Sequence, residues 1–66
     1  MINQTNNKKE EKILQILEKY SVIPTSKIAN EINSNYFTTL TFLENLLRKN
    51  KIKRIVSGKY VYWELK

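Results

Sequence analysis

Residues 46–65 read LLRKNKIKRIVSGKYVYWEL, and the hydrophobic spacing changes period within them. Leu46 and Leu47 close a helical pattern that reaches back to Tyr36. Asn50 stands where a helix must turn off through the left-handed region, which Asn tolerates second only to Gly. Beyond it, Ile52 to Val56 and Lys59 to Leu65 are β-branched and aromatic runs on either side of Ser57-Gly58, a short hairpin signal. Along the second run Val61, Trp63 and Leu65 point one way, and Tyr60, Tyr62 and Glu64 the other. The first set is expected in the core, Trp63 with it; Trp63 and Tyr62 could otherwise serve as stacking platforms for unpaired bases, and Tyr60 and Tyr62, on the opposite face, are left open.

The same segment holds the charge. From Leu46 onward there are seven basic residues and one acid, whereas the five lysines before it are matched by five glutamates. The whole formal charge of +6 therefore sits in the final third of the chain. On so small a body, a positive surplus favours a polyanionic partner such as DNA, RNA or an anionic membrane face.

Upstream, the spacing predicts three helices. Asn7 and Glu10 fit a capping box, and Ile13, Leu14, Ile16, Leu17 and Tyr20 form the stripe of a first helix over about residues 8–20. Residues 1–7 then read as a flexible arm and 8–66 as a single domain, with no repeat and no linker. Pro24 ends the first pattern, and Thr25 is a suitable N-cap for a short second helix over about 26–33, with Ile28, Ala29 and Ile32 inward. Asn33-Ser34-Asn35 is a turn by composition, and Asn35 can cap a third helix over about 36–49. Phe37, Leu40, Phe42, Leu43, Leu46 and Leu47 cover more than one face of that helix. Most of them are expected in the core; Phe42 or Leu40, if exposed, would mark a dimer or protein-partner surface. The wide stripe of the first helix offers a second possible dimer face.

Composition excludes several classes. With no Cys and no His, there are no disulfides, no thiolate or imidazole metal sites and no Cys- or His-based nucleophilic pair. Asp is also absent, and the six glutamates are scattered singly, so no acid–base pair is indicated. The expectation is a non-enzymatic protein without cofactor or metal. No apolar run approaches the roughly 18 residues of a membrane span, and MINQTNNKKEEK is no signal peptide. A cytoplasmic, nucleoid-associated location is expected.

Helix, short helix, turn, helix and hairpin in this order resemble the winged helix-turn-helix family of DNA-binding domains. The resemblance covers about residues 8–66 and rests on three stretches. TSKIANEINSNYFTTLTFLENLLRKNKI looks like the family's core, with the small Ala29 letting the next helix cross closely. LENLLRKNKI resembles its paired leucines, basic residue and turn, with Asn50 in the usual glycine's place. IKRIVSGKYVYWEL looks like a short wing. Ser34 and Thr39 depart from the pattern, at positions where apolar or small aliphatic residues are common.

The implied fold is mainly α with a small β-hairpin (α+β), a three-helix winged helix-turn-helix. The implied function is a small transcriptional regulator on double-stranded DNA, with the third helix in the major groove and the wing on the backbone. In such a fold Lys27, Arg48, Lys49, Lys51, Lys53, Arg54 and Lys59 would face phosphates, which position a protein without reading sequence. Asn35, Tyr36, Thr38 and Thr41 are the candidates for base reading, Asn toward adenine and Thr toward the thymine methyl, so A·T-containing sites are expected. The start of the third helix, NYFTTLTFLEN, holds no Arg or Lys for guanine. Half-site symmetry would suit a homodimer. Two other readings share the fold: RNA binding within a ribonucleoprotein, and a protein-interaction module.

Overall fold

A computed structural model describes residues 4–66, with side chains from Lys8 onward. The elements run α1 (Gln4–Tyr20), β1 (Ile23–Pro24), α2 (Thr25–Ile32), α3 (Tyr36–Arg48), β2 (Ile52–Ser57) and β3 (Tyr60–Leu65). The expected three-helix, hairpin-bearing α+β fold is the observed one.

The first helix starts earlier than its capping signal suggests. Asn7 lies within α1, so it cannot be an N-cap, and residues 4–7 of the expected arm are helical; residues 1–3 of that arm lie outside the described residues. Nothing in Gln-Thr-Asn-Asn breaks a helix, since Pro and Gly are both absent. Glu10 is turned to a tertiary partner instead. It is buried, its Oε1 lies 3.0 Å from Lys49 Nζ, and Asn45 Nδ2 donates to its Oε2 at 3.5 Å.

One stripe of α1, formed by Ile13, Ile16 and Leu17, is buried against the rest of the domain. The stripe is therefore spent inside the monomer and offers no dimer face. Tyr20, expected on that stripe, sits at the helix end, where its hydroxyl donates to Glu31 Oε2 at 3.4 Å and Lys27 Nζ lies 5.2 Å from its ring centroid.

After Ser21, with φ of 71°, the chain enters a strand too short to show in the sequence. Ile23 pairs with Trp63 and Pro24 with Tyr62, so β1 and β2 flank a central β3 in an antiparallel three-stranded sheet. Proline is tolerated because β1 is an edge strand.

Thr25 has the chemistry of a cap, yet Pro24 holds that position and Thr25 is the first helical residue. Its buried hydroxyl accepts the Trp63 Nε1–H at 2.7 Å and donates to the Val61 carbonyl at 3.4 Å. Trp63 is fully buried in the core with Ile13, Leu17, Ile28, Leu43 and Ile52.

Besides Ser21, three further left-handed residues lie where the sequence requires turns, and two of them end helices. Asn33 (φ 58°) closes α2, Asn50 (φ 64°) follows α3, and Lys51 N–H returns to the Leu46 carbonyl at 3.0 Å. The third is in the wing, where the hairpin turns one residue later than expected. Ser57 still pairs with Tyr60, leaving Gly58-Lys59 as the two-residue loop with Gly58 at φ 64°.

The two departures from the family pattern both have polar partners. Thr39 is fully buried and donates to the Asn35 carbonyl at 2.8 Å. Ser34 Oγ accepts from Lys9 Nζ at 3.1 Å, and the same ammonium donates to the Ile32 carbonyl at 2.6 Å. Lys9 thus satisfies a carbonyl left unpaired at the end of α2.

Candidate nucleic-acid interface

Helix α3 turns Thr39, Phe42, Leu43 and Leu46 to the core. With 3.6 residues per turn, the opposite stripe is Phe37, Thr41, Glu44 and Arg48, flanked by Tyr36, Thr38 and Leu40. Phe42 is buried and Leu40 half-buried against the core, so neither is the exposed apolar side chain; that role falls to Phe37, at 79% exposure, with Tyr36 edge-on to it at 5.9 Å between centroids.

Asn35 is engaged as an N-cap. Its Oδ1 accepts the Thr38 N–H at 2.7 Å. Thr41 is exposed and donates its hydroxyl to the Phe37 carbonyl at 3.2 Å, which commits that hydroxyl within the helix. Of the expected base-reading residues, then, Tyr36 and Thr38 keep their hydroxyls uncommitted among the described residues. Asn35→Ala is expected to lower stability by about 1 kcal/mol through the lost cap, measured by urea denaturation, with Asn35→Asp restoring it.

The seven basic candidates fall into four groups. Arg48 continues the outward stripe of α3, and Lys59 sits in the wing turn; neither has a carboxylate within ion-pair distance among the described residues. Arg54 lies on the core-facing side of β2, opposite Trp63, and reaches over to Glu44 of α3 at 3.7 Å; Lys53 points the other way and pairs with Glu64 across the hairpin at 2.9 Å. Both pairs are half-exposed, and pairs of this kind are worth little and open readily. Lys49 and Lys51 belong elsewhere. They line a cleft with Glu10, Glu11 and Leu14 on the α1 side, and Lys49 holds the Glu10 carboxylate there. Lys27, on α2, stands over the Tyr20 ring.

Sequence reasoning missed Glu44, which reads as a solvent charge. Its register with Phe37 and Thr41 is the available signal, and only the wing's approach through Arg54 shows that it lies at the centre of this face. Tyr60 has no role that its alternation alone assigns; it is 59% exposed and shares a cleft with Tyr36, Lys59, Pro24 and Ser26. Among the described residues no helix is long and apolar enough to cross a membrane.

No protein-family model matches the chain. No curated protein matches it in sequence. Solved structures do match in shape. The Zalpha domain of Carassius auratus PKZ, in complex with Z-DNA, superposes with a TM-score of 0.86 and 27% identity over 96% of this chain and 100% of that one. Lactococcus lactis ZitR in complex with DNA gives a TM-score of 0.81 at 23% identity over 88% of this chain. A further structure of ZitR, a zinc-responsive MarR family member, gives 0.79 at 23% identity. The chain spans about two fifths of the length of ZitR (41% and 42%) and the full length of the Zalpha domain. The order of helices, the three-stranded sheet and these superpositions agree: the chain is a winged helix-turn-helix domain.

Proposed function

We propose that this domain binds double-stranded DNA and acts as a small transcriptional regulator, with α3 entering the major groove and the wing on the backbone. The observation that carries the reading is the joint placement of charge and shape. The net positive charge lies on the end of α3 and the wing, in a fold that superposes on two structures solved with DNA. Arg48, Lys53, Arg54 and Lys59 supply the phosphate contacts, with Lys27 at the margin. Lys49 and Lys51 serve the α1 side and the fold.

Base reading falls to Tyr36, Thr38, the methyl of Thr41 and Glu44, whose carboxylate can accept from cytosine N4. Arg54 holds Glu44 in the free protein; on DNA it passes to a phosphate and releases the carboxylate to the base edge. With Asn35 committed to capping, thymine methyls and cytosine amines are the features this face reads best. A homodimer would supply two half-sites, through a surface other than the buried stripe of Ile13, Ile16 and Leu17.

Fluorescence anisotropy across a salt series, with duplex DNA and an RNA hairpin of equal length, tests the proposal. Tighter binding to duplex DNA with a steep negative log–log salt slope supports it. Preference for the hairpin points to RNA, and binding to neither at low salt points to a protein partner. Because one neighbour holds Z-DNA, an alternating d(CG) duplex belongs in the series; inversion of its circular dichroism on adding protein would assign the left-handed form.

A further inference from the structure

An aromatic cleft lies where the wing turn meets the start of α3. It is open, about 260 Å³, and lined by Pro24, Ser26, Tyr36, Lys59, Tyr60 and Val61, with no acidic side chain on its wall. Two tyrosines from distant segments face it, and each is propped by a second ring. Tyr36 has Phe37 edge-on at 5.9 Å, and Tyr60 leans on Tyr62 at 6.4 Å between centroids. Tyr36 is 45% exposed and Tyr60 59%. Neither is needed to fill the core, which is complete around Trp63.

Rings held on two sides of a cationic opening suit a particular occupant. In an intact duplex the base faces are covered by their neighbours, and a protein meets only the edges. A tyrosine face is useful only to a base that has left the stack, and stacking of that kind is tolerant of sequence. Lys59 at the rim matches the phosphate that such a base carries, and the hydroxyl of Ser26 on the cleft wall matches its polar edge. An apolar protein segment would find here a charged rim and hydroxyl groups instead of a continuous greasy surface.

We propose that this cleft is a binding site for an unpaired nucleobase, held between Tyr36 and Tyr60 with its phosphate on Lys59. The domain would then engage bulged or locally opened DNA more tightly than intact duplex. The inference rests on the DNA-binding reading and narrows it to a class of DNA.

The test compares anisotropy titrations of an intact duplex and the same duplex carrying one extrahelical adenine, using wild type, Tyr60→Phe and Tyr60→Leu. Tyr60 is exposed on the wing, and circular dichroism confirms that each variant is folded. The expected result is a preference of about fivefold or more for the bulged duplex in wild type, the scale of one stacked base. Tyr60→Phe keeps it, and Tyr60→Leu loses it while binding the intact duplex as wild type does. Equal affinity of wild type for both duplexes overturns the cleft proposal and leaves duplex binding standing. A Tyr60→Leu loss that is equal on both duplexes also overturns it, since the ring is then a general contact. Binding to neither duplex overturns both readings. A wild type that sediments as a dimer and a Tyr60→Leu variant that sediments as a monomer, with the bulge preference unchanged, overturn it too and assign the patch to self-association.

Discussion

Replacing Lys53, Arg54 and Lys59 together by alanine is expected to cut the log–log salt slope of duplex binding by about two to three, at about 0.9 for each phosphate that is no longer neutralised. The affinity loss should exceed that of three independent cations. Arg54 screens Glu44 at 3.7 Å and Lys53 screens Glu64 at 2.9 Å, so the variant also bares two carboxylates, one of them on the face that meets the groove. Those pairs are half-exposed, so their removal should change the unfolding free energy by less than about 1 kcal/mol. The two effects separate cleanly: anisotropy against salt concentration reports the first, and urea denaturation of the free protein the second. A variant as stable as wild type with an unchanged slope would remove the wing from the interface. On a duplex without cytosine for Glu44 to read, adding Glu44→Gln to the triple variant should recover part of the affinity, because the bared charge on α3 meets no partner base there.

Trp63→Ala is expected to unfold the domain at room temperature. The side chain is fully buried at the meeting point of α1, α2, α3 and the sheet, and truncations of this size cost about 3–5 kcal/mol. A core in a chain of this length rarely supplies more than about 3–5 kcal/mol in total. Far-UV circular dichroism of the variant would then show loss of helix before any denaturant is added. Thr25→Val is the graded companion. It keeps the volume but leaves the Trp63 Nε1–H without its 2.7 Å acceptor, at a cost of about 1–3 kcal/mol. Thr25→Ser should retain most of the stability. Trp63→Phe, which removes the donor, should make Thr25→Val much less costly than it is in wild type, since the two residues share one hydrogen bond.

What the sequence reveals and what it hides follow from the range of the interactions. The three helices and the hairpin are legible because each is written in local spacing, and the change of period after Asn50 marks the boundary between them. Trp63 can be placed in the core by alternation alone. β1 is not legible, because two residues, one of them proline, carry no period; only its partner β3 makes it a strand. The start of α1 is misjudged because a capping box is a local pattern, and Glu10 answers to Lys49, 39 residues away. Thr25 looks like a cap for the same reason, while its hydroxyl serves Trp63 across the core.

The interface shows the same division. Net charge locates the basic elements correctly in the chain, but a sequence does not reveal which lysine meets which glutamate. Lys49 and Lys51 therefore read like Arg48 and Lys59, although the end of α3 turns them toward α1. Phe37 is one of six apolar residues singled out on α3, and only the packing of Phe42 and Leu43 shows which ring is left outside.

The most direct test of the proposed DNA-binding face is a ¹⁵N–¹H correlation spectrum of the labelled protein, titrated with a short duplex. Shifts concentrated in residues 35–41, at Glu44 and Arg48, and in the wing from Lys53 to Lys59, with the α1 amides unmoved, are the predicted result. Shifts centred on α1 and the Glu10–Lys49 cleft, or a spectrum unchanged by DNA at low salt, would contradict it.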